Sequence, residues 1–198
     1  MTPCPLCLAS ESPRRAELLR RHGIPFTAVH VRAEELTGGA PPVELVRINA
    51  ERKAAAGALL RPDAVVLAAD TVVVLDGRIY GKPADLAEAA DFLRRFSGRM
   101  HEVLTGVALE WRDAGKRRSF TVTTKVWFKE LSEAVIKDYL ARVPVLDKAG
   151  AYALQEHGEM LIDRIEGDAD NVVGLPTAAV LEALRNFAGD SRELRKRS

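Results

Sequence analysis

Apolar and polar positions divide the chain into alternating strand-like and helix-like stretches. The longest apolar run is Val65-Val66-Leu67-Ala68-Ala69-Asp70-Thr71-Val72-Val73-Val74-Leu75. Its β-branched and small residues predict a buried strand. Asp76-Gly77 follows, the strongest short hairpin signal, and then a second strand over Arg78-Ile79-Tyr80 that ends in Gly81-Lys82-Pro83. Upstream, Leu6-Cys7-Leu8-Ala9 predicts a short strand. Ser12-Pro13 predicts a helix start, with Ser12 as N-cap and Pro13 as first helical residue. That helix continues to His22 with Ala16, Leu18 and Leu19 as its apolar positions, and Gly23 stops it. Residues 26–31 alternate as a strand. Residues 32–42 form a loop with the paired acids Glu34 and Glu35, and residues 43–60 carry a helical period into an alanine-rich stretch that holds Lys53.

Downstream, residues 85–93 predict an amphipathic helix with an acidic first turn, stopped by Ser97-Gly98. Two antiparallel strands, 101–109 and 119–128, flank the turn Asp113-Ala114-Gly115, and Ser132 caps a helix to about Leu140. Residues 147–155 read as polar first and strand-like after, which places Gln155 on a strand. Leu161-Ile162 and a polar loop over 167–171 lead to a final helix capped by Thr177 and ending near Gly189. Strands and helices alternate without a clear linker, so the class is α/β with some antiparallel pairing. The expected organisation is one domain over 1–189, with two lobes around a cleft, and a basic, solvated tail over 190–198.

Composition narrows the picture modestly. The chain has 198 residues, 47% hydrophobic and 29% charged, which suits a globular protein with a real core. A formal net charge of +1 gives no electrostatic case for nucleic acid as the main partner. No apolar stretch approaches the roughly 18–20 residues of a membrane span, and the N-terminus does not read as a signal peptide, so the expected compartment is the cytoplasm. Cys4 and Cys7 stand in Cys-Pro-Leu-Cys, with no second ligand pair at finger spacing. They read as two thiols at the start of a strand in a reducing cell, with a metal or redox pair as the lesser alternative.

Candidate chemistry gathers at three places. Asp70 sits inside an apolar strand, where a bare carboxylate costs several kcal/mol without a partner. It is either a salt-bridged core acid or a functional one. The hairpin delivers Lys82 to the neighbouring strand end. The helix start at Ser10-Glu11-Ser12-Pro13-Arg14-Arg15 combines free backbone N–H groups, a helix dipole and two guanidinium forks, all favourable for phosphate. His101 reads as a structural histidine, with a phosphate contact as the alternative.

Five separated stretches coincide with one pattern. Leu8-Ala9-Ser10-Glu11-Ser12-Pro13-Arg14-Arg15-Ala16-Glu17-Leu18-Leu19 resembles the N-terminal signature of the Maf family. Ala69-Asp70-Thr71-Val72-Val73 with Gly81-Lys82-Pro83 is similar to its central motif, and residues 97–107 to its third. Asp147-Lys148-Ala149-Gly150-Ala151-Tyr152 is similar to its fourth and Asn171-Val172-Val173-Gly174-Leu175-Pro176 to its closing element. The resemblance implies a mixed, elongated α/β sheet flanked by helices around a deep cleft, similar in shape to the inosine triphosphate pyrophosphatases. It also implies a nucleoside triphosphate pyrophosphatase that uses a divalent cation, Mg²⁺ or Mn²⁺, and often forms a homodimer. By position, Asp70 matches the family's proton acceptor, and Arg14, Thr71 and Gln155 match the positions that sort the family by base. Ser10, Arg15, Lys53 and Lys82 match its polar cleft positions, and Ser12 adds the helix N-terminus to the phosphate site. Asp70 and an acid from the Glu34–Glu35 pair, Glu35 with Glu34 as the alternative, are the expected metal ligands.

Arg14 and Gln155 resemble the dTTP/UTP-cleaving group, whereas the 7-methyl-GTP-cleaving group has a bulky aromatic and a Glu at these positions. A Gln amide can donate to a pyrimidine carbonyl and accept from the ring N–H; a carboxylate only accepts. dTTP and UTP are therefore the expected substrates, with 7-methyl-GTP or another modified nucleotide as the enzymatic alternative. A nucleotide-binding regulator of septum formation is the non-enzymatic one. One departure bears on the base: the family usually has Gly after this Gln, and here Glu156 adds a charged side chain.

Overall fold

The long apolar run forms the strand on which the sheet is built. In a computed structural model of the chain, residues 5–189 are described; Cys4 and the tail over 190–198 lie outside them. Strand β3 (Val65–Leu75) pairs antiparallel along one edge with β5 (Met100–Trp111), from Val66–Glu110 to Val74–Glu102. β5 pairs with β6 (Lys116–Phe128), and β6 with β7 (Ile162–Glu166). The other edge of β3 is shared by two strands. β1 (Leu6–Ala9) runs parallel to it at Val65–Leu67 and passes the sheet on to β2 (Thr27–Val29). β4 (Arg78–Tyr80) runs antiparallel at Val73–Leu75, across a two-residue turn in which Asp76 and Gly77 both have positive φ, 52° and 74°. That is the geometry a tight hairpin matches to the twist of its strands.

Between β1 and β4, residues 68–72 of β3 have no strand partner on that edge. The sheet divides there into a mixed seven-stranded fork, and the opening of the fork is a cleft. Helix α2 (Pro42–Leu60) covers one face of β3 and β5 through small residues, Ala50, Ala54, Gly57 and Ala58, which let it lie close to the sheet. The opposite face carries two cores, one on each side of the opening. Leu18 and Leu19 of α1 (Pro13–Arg21) pack with Val180, Ala183 and Phe187 of α6 (Thr177–Gly189) against Leu67 and Ala69. Phe92 and Phe96 of α3 (Leu86–Phe96) pack with Ile136 and Tyr139 of α4 (Glu133–Arg142) against Val73. No helix among the described residues is long and apolar enough to cross a membrane.

Three local expectations need correction. β2 is confined to Thr27–Val29 and mostly exposed, because it pairs only with the short β1 at the sheet edge. The polar stretch 167–171 is not a loop throughout: Asp168 caps a short helix, α5 (Ala169–Val173). Residues 147–155 form no strand. Gly150 and Ala151 take positive φ, 71° and 60°, in a 3₁₀ turn (Ala149–Ala151), and Ala151, Tyr152 and Ala153 are all buried, so alternation is lost. The Ala153 N–H then donates to the hydroxyl of Tyr139 at 2.9 Å instead of to a strand. Cys7 is fully buried in β1 among the alanines facing α2, a core thiol.

His101 takes its bland role as well. It is 1% exposed, stacks on Phe96, and shares a 2.8 Å hydrogen bond between Nε2 and the hydroxyl of Tyr152. Burial pushes its pKa down from 6.5 to about 3. The folded protein thus keeps the ring neutral while the unfolded chain takes up a proton below pH 6.5. Its contribution to stability is complete above that pH and is lost as pH falls towards 3. Between pH 7 and pH 5 the expected loss from this group is about 2 kcal/mol. Urea unfolding of the wild type and His101→Phe should show it, with a flatter pH dependence in the variant over that window.

Candidate active site

The cleft at the sheet opening has a volume of about 830 Å³. It is lined from both sides of the fork, which explains how neighbouring strand residues reach a single site. Side chains alternate across a sheet. Asp70 accordingly faces α2 with Val66, Ala68 and Val72, while Thr71 faces the other way with Leu67, Ala69 and Val73. With no strand beside them, both remain open to the same cleft.

Asp70 is 9% exposed and fully paired. Oδ1 accepts from Lys53 Nζ at 2.8 Å, and Oδ2 accepts from Asn49 Nδ2 at 3.0 Å. Asn49 and Lys53 lie one turn apart on the buried side of α2, a helix otherwise smoothed by alanine. Asn49 also receives the Leu36 N–H at 2.7 Å and donates to the Leu36 carbonyl at 3.0 Å, tying the acidic loop to the helix. That loop brings Glu35 to Lys53, Oε2 to Nζ, at 3.1 Å. Of the two acids it carries, Glu35 lines the cleft, while Glu34 is turned out and offers its carbonyl to Arg52 at 2.9 Å. The Lys53 ammonium therefore stands between two carboxylates.

On the opposite wall, the α1 N-terminus is built as its sequence predicts. Ser12 caps it, with Pro13 in the first turn, and the Ser12 N–H donates to Ser10 Oγ at 3.2 Å. Arg15 is locked in place: Nε donates to the Gly174 carbonyl at 2.8 Å, Nη1 to Ser10 Oγ at 3.2 Å and Nη2 to Thr71 Oγ1 at 3.1 Å. Burial pushes the Arg15 pKa down, with the charge of Asp70 opposing it; a guanidinium starts so high that it stays protonated. Thr71 is held in turn by Thr105 of β5, oxygen to oxygen, at 3.0 Å.

Arg14 reaches across the mouth of the cleft to residues beyond the fork. Nη1 donates to Asp147 Oδ2 at 2.6 Å and Nη2 to the Asp147 carbonyl at 3.1 Å. Burial pushes Asp147 up, but Arg14 and Lys148 outweigh it and leave the carboxyl below its ordinary value. Lys82, just after β4, is exposed on the cleft wall and makes no ion pair among the described residues. Gln155 lines the cleft from an exposed turn and not from the predicted strand.

All the expected site residues thus meet at one cleft. Sequence reasoning missed Asn49, Thr105, Gly174, Asp147 and Lys148. Asn49 had a legible signal, a polar residue one turn before Lys53 on an alanine-rich helix; the others lie in stretches that match the family pattern, but their partners at the site are distant in sequence.

Comparison with known proteins finds relatives along almost the whole chain. The dTTP/UTP pyrophosphatase of Akkermansia muciniphila is 48% identical over 184 residues, covering 92% of this chain and 96% of its own. That of Bacillus velezensis is 46% identical with the same coverage. Among solved structures, the Staphylococcus aureus Ham1 protein overlays on 63% of this chain and 71% of its own, with a TM-score of 0.47 and 16% identity. The Maf-like protein family matches residues 5–187. On that match, and on relatives close to half identical along almost their whole length, the chain belongs to the Maf-like protein family.

Proposed function

We propose that this protein hydrolyses nucleoside triphosphates between the α and β phosphates, releasing a monophosphate and pyrophosphate, with dTTP and UTP preferred. The observation that carries the reading is Asp70: a nearly buried carboxylate, oriented by Lys53 and Asn49, in a cleft whose walls present Arg14, Arg15 and Lys82. A carboxylate so held can take the proton of a water attacking the α-phosphorus. Arg15, Lys53 and Lys82 neutralise charge that builds on the leaving pyrophosphate, and the Ser12-capped helix end adds backbone donors. Arg15 is fixed in advance by Ser10, Thr71 and Gly174, so little reorganisation is needed when phosphate arrives. Gln155 and Arg14 stand at the mouth, where the base would lie. The names of the relatives, dTTP/UTP pyrophosphatases, support the same substrates.

The donor set fits a hard divalent cation. Asp70 and Glu35 are brought together by one lysine, and Mg²⁺ is commonly held by one or two carboxylates with substrate phosphates and waters completing the shell. Among the described residues no group of three acidic, histidine or cysteine side chains converges, so the triphosphate itself would complete the site. Bound there, Mg²⁺ or Mn²⁺ supplies phosphate polarisation and a more acidic water. The proposed setting is the cytoplasm, where the nucleotide pool lies, and the proposed assembly is the homodimer that the family resemblance implies.

Pyrophosphate release tests the reading. With Mg²⁺ or Mn²⁺ and a panel of dTTP, UTP, dCTP, dGTP and 7-methyl-GTP, dTTP and UTP should give the highest kcat/KM, with one pyrophosphate per monophosphate. Orthophosphate as product, or a preference for 7-methyl-GTP, would overturn it.

A further inference from the structure

The wall that carries Gln155 also holds a lysine, Lys148, with no part in the proposed chemistry. The Lys148 side chain is 4% exposed. Its ammonium donates to the Pro144 carbonyl and to Asp147 Oδ1 at 3.0 Å, and it pairs with Glu156 Oε1 at 3.3 Å. A buried ammonium is tolerated only when paired and hydrogen-bonded, and each of its two acidic partners is itself attached to something that faces the cleft. Asp147 holds Arg14 through both its carboxylate and its carbonyl. Glu156 directly follows Gln155. The result is one continuous run of charge, Arg14–Asp147–Lys148–Glu156, from the N-terminus of α1 across the cleft mouth to the base-side turn.

Glu156 does not itself line the cleft, although its neighbour Gln155 does. Its carboxylate is engaged at Lys148, a residue of the cleft wall. The turn is otherwise held at its start by the Ala153 N–H on Tyr139, and at His157 the backbone takes a positive φ of 56°. Between those points the Glu156 carboxylate ties Gln155's turn to Lys148.

We propose that Lys148 and Glu156 are positioning residues for base selection. Glu156, anchored on Lys148, sets the Gln155 amide against the base, and Asp147, anchored on the same ammonium, sets Arg14 opposite it. The inference rests on the pyrophosphatase reading. The charge beside the base site thereby fixes the Gln155 amide without touching the base. A hydrogen-bonding site discriminates between bases only while its donors and acceptors are held in place.

The test uses Glu156→Ala and the milder Glu156→Gln, which keeps an acceptor for Lys148; the side chain is 40% exposed, so both variants should fold. Two ratios are measured: kcat/KM for dTTP over dGTP, and Kd for the α,β-methylene analogues of the same two nucleotides. Glu156→Ala should raise KM for dTTP about tenfold, with kcat changed less than about twofold, and lower both ratios about tenfold. Glu156→Gln should recover part of the loss. Ratios unchanged in Glu156→Ala would overturn the proposal. So would an equal fall in kcat for every nucleotide with a lowered Tm, the mark of a purely structural role. The binding ratio separates the two readings. A wild type that prefers the dTTP analogue but releases no pyrophosphate overturns the pyrophosphatase reading alone; one that binds both analogues equally overturns the positioning role.

Discussion

Asp70→Asn should lower kcat for dTTP by about 10²–10⁴-fold, the usual contribution of a positioned general base. The substitution is isosteric, so the local packing of β3 is kept. What changes is the chemistry of one atom pair. An Asn can accept from Lys53 or from Asn49 with its oxygen, but its amide then faces the other donor, and it cannot take a proton from water. Binding should survive, because the arginines and Lys82 remain, and Lys53 keeps Glu35 at 3.1 Å. The Kd of an α,β-methylene dTTP analogue should therefore move far less than kcat. Hydrolysis at the wild-type rate would remove Asp70 from the chemistry and leave it as a core acid paired with a lysine.

Gly106→Ala should be the second most damaging change, although Gly106 lines no part of the cleft. It lies directly across from Asp70 in the register of β3 and β5. A Cβ there would overlap the carbonyl of Val46, backbone that cannot turn aside, so α2 would have to move off the sheet. Asn49 and Lys53 follow Val46 by one and two turns on the same side of that helix, so they would leave Asp70 together. A displacement of about 1 Å in a catalytic arrangement can cost about 10²-fold in rate, and overpacking of this kind costs about 1–3 kcal/mol of stability. Both kcat and Tm should fall. Gly38, which has open space around it and no positive φ, supplies the control: Gly38→Ala should leave both unchanged. A Gly106→Ala protein with normal kcat would show that Asp70 does not depend on the closeness of α2.

The two cases divide along the line between what was legible in the sequence and what was not. Asp70 stood out because a charge inside an apolar run violates the pattern around it. Gly106 did not, since one glycine in a strand has many explanations until a helix is seen lying against it. The same holds for the segment after Asp147. Its apolar residues read as a strand, but Gly150 and Ala151 turn the chain, and its N–H groups donate to the Tyr139 hydroxyl and to the Lys148 and Gly81 carbonyls instead of forming a strand ladder.

Elements set by local chemistry were determined by the sequence alone: the Ser12 cap, the Asp76-Gly77 hairpin, the long period of β3, the Ser132 cap and the alanine face of α2. Each depends on residues a few positions apart, whose backbone preferences and side-chain spacing act before any tertiary contact forms. Tertiary structure alone decided how the site is joined. It left β3 unpaired between β1 and β4, so that Asp70 and Thr71, on opposite faces, open to one cleft. It chose Glu35 over Glu34, set Asn49 on Asp70, and ran charge from Arg14 to Asp147, 133 positions along the chain. The physical reason is that such pairings draw their energy from burial and geometry that exist only once distant elements have packed, and no local pattern of residues carries them.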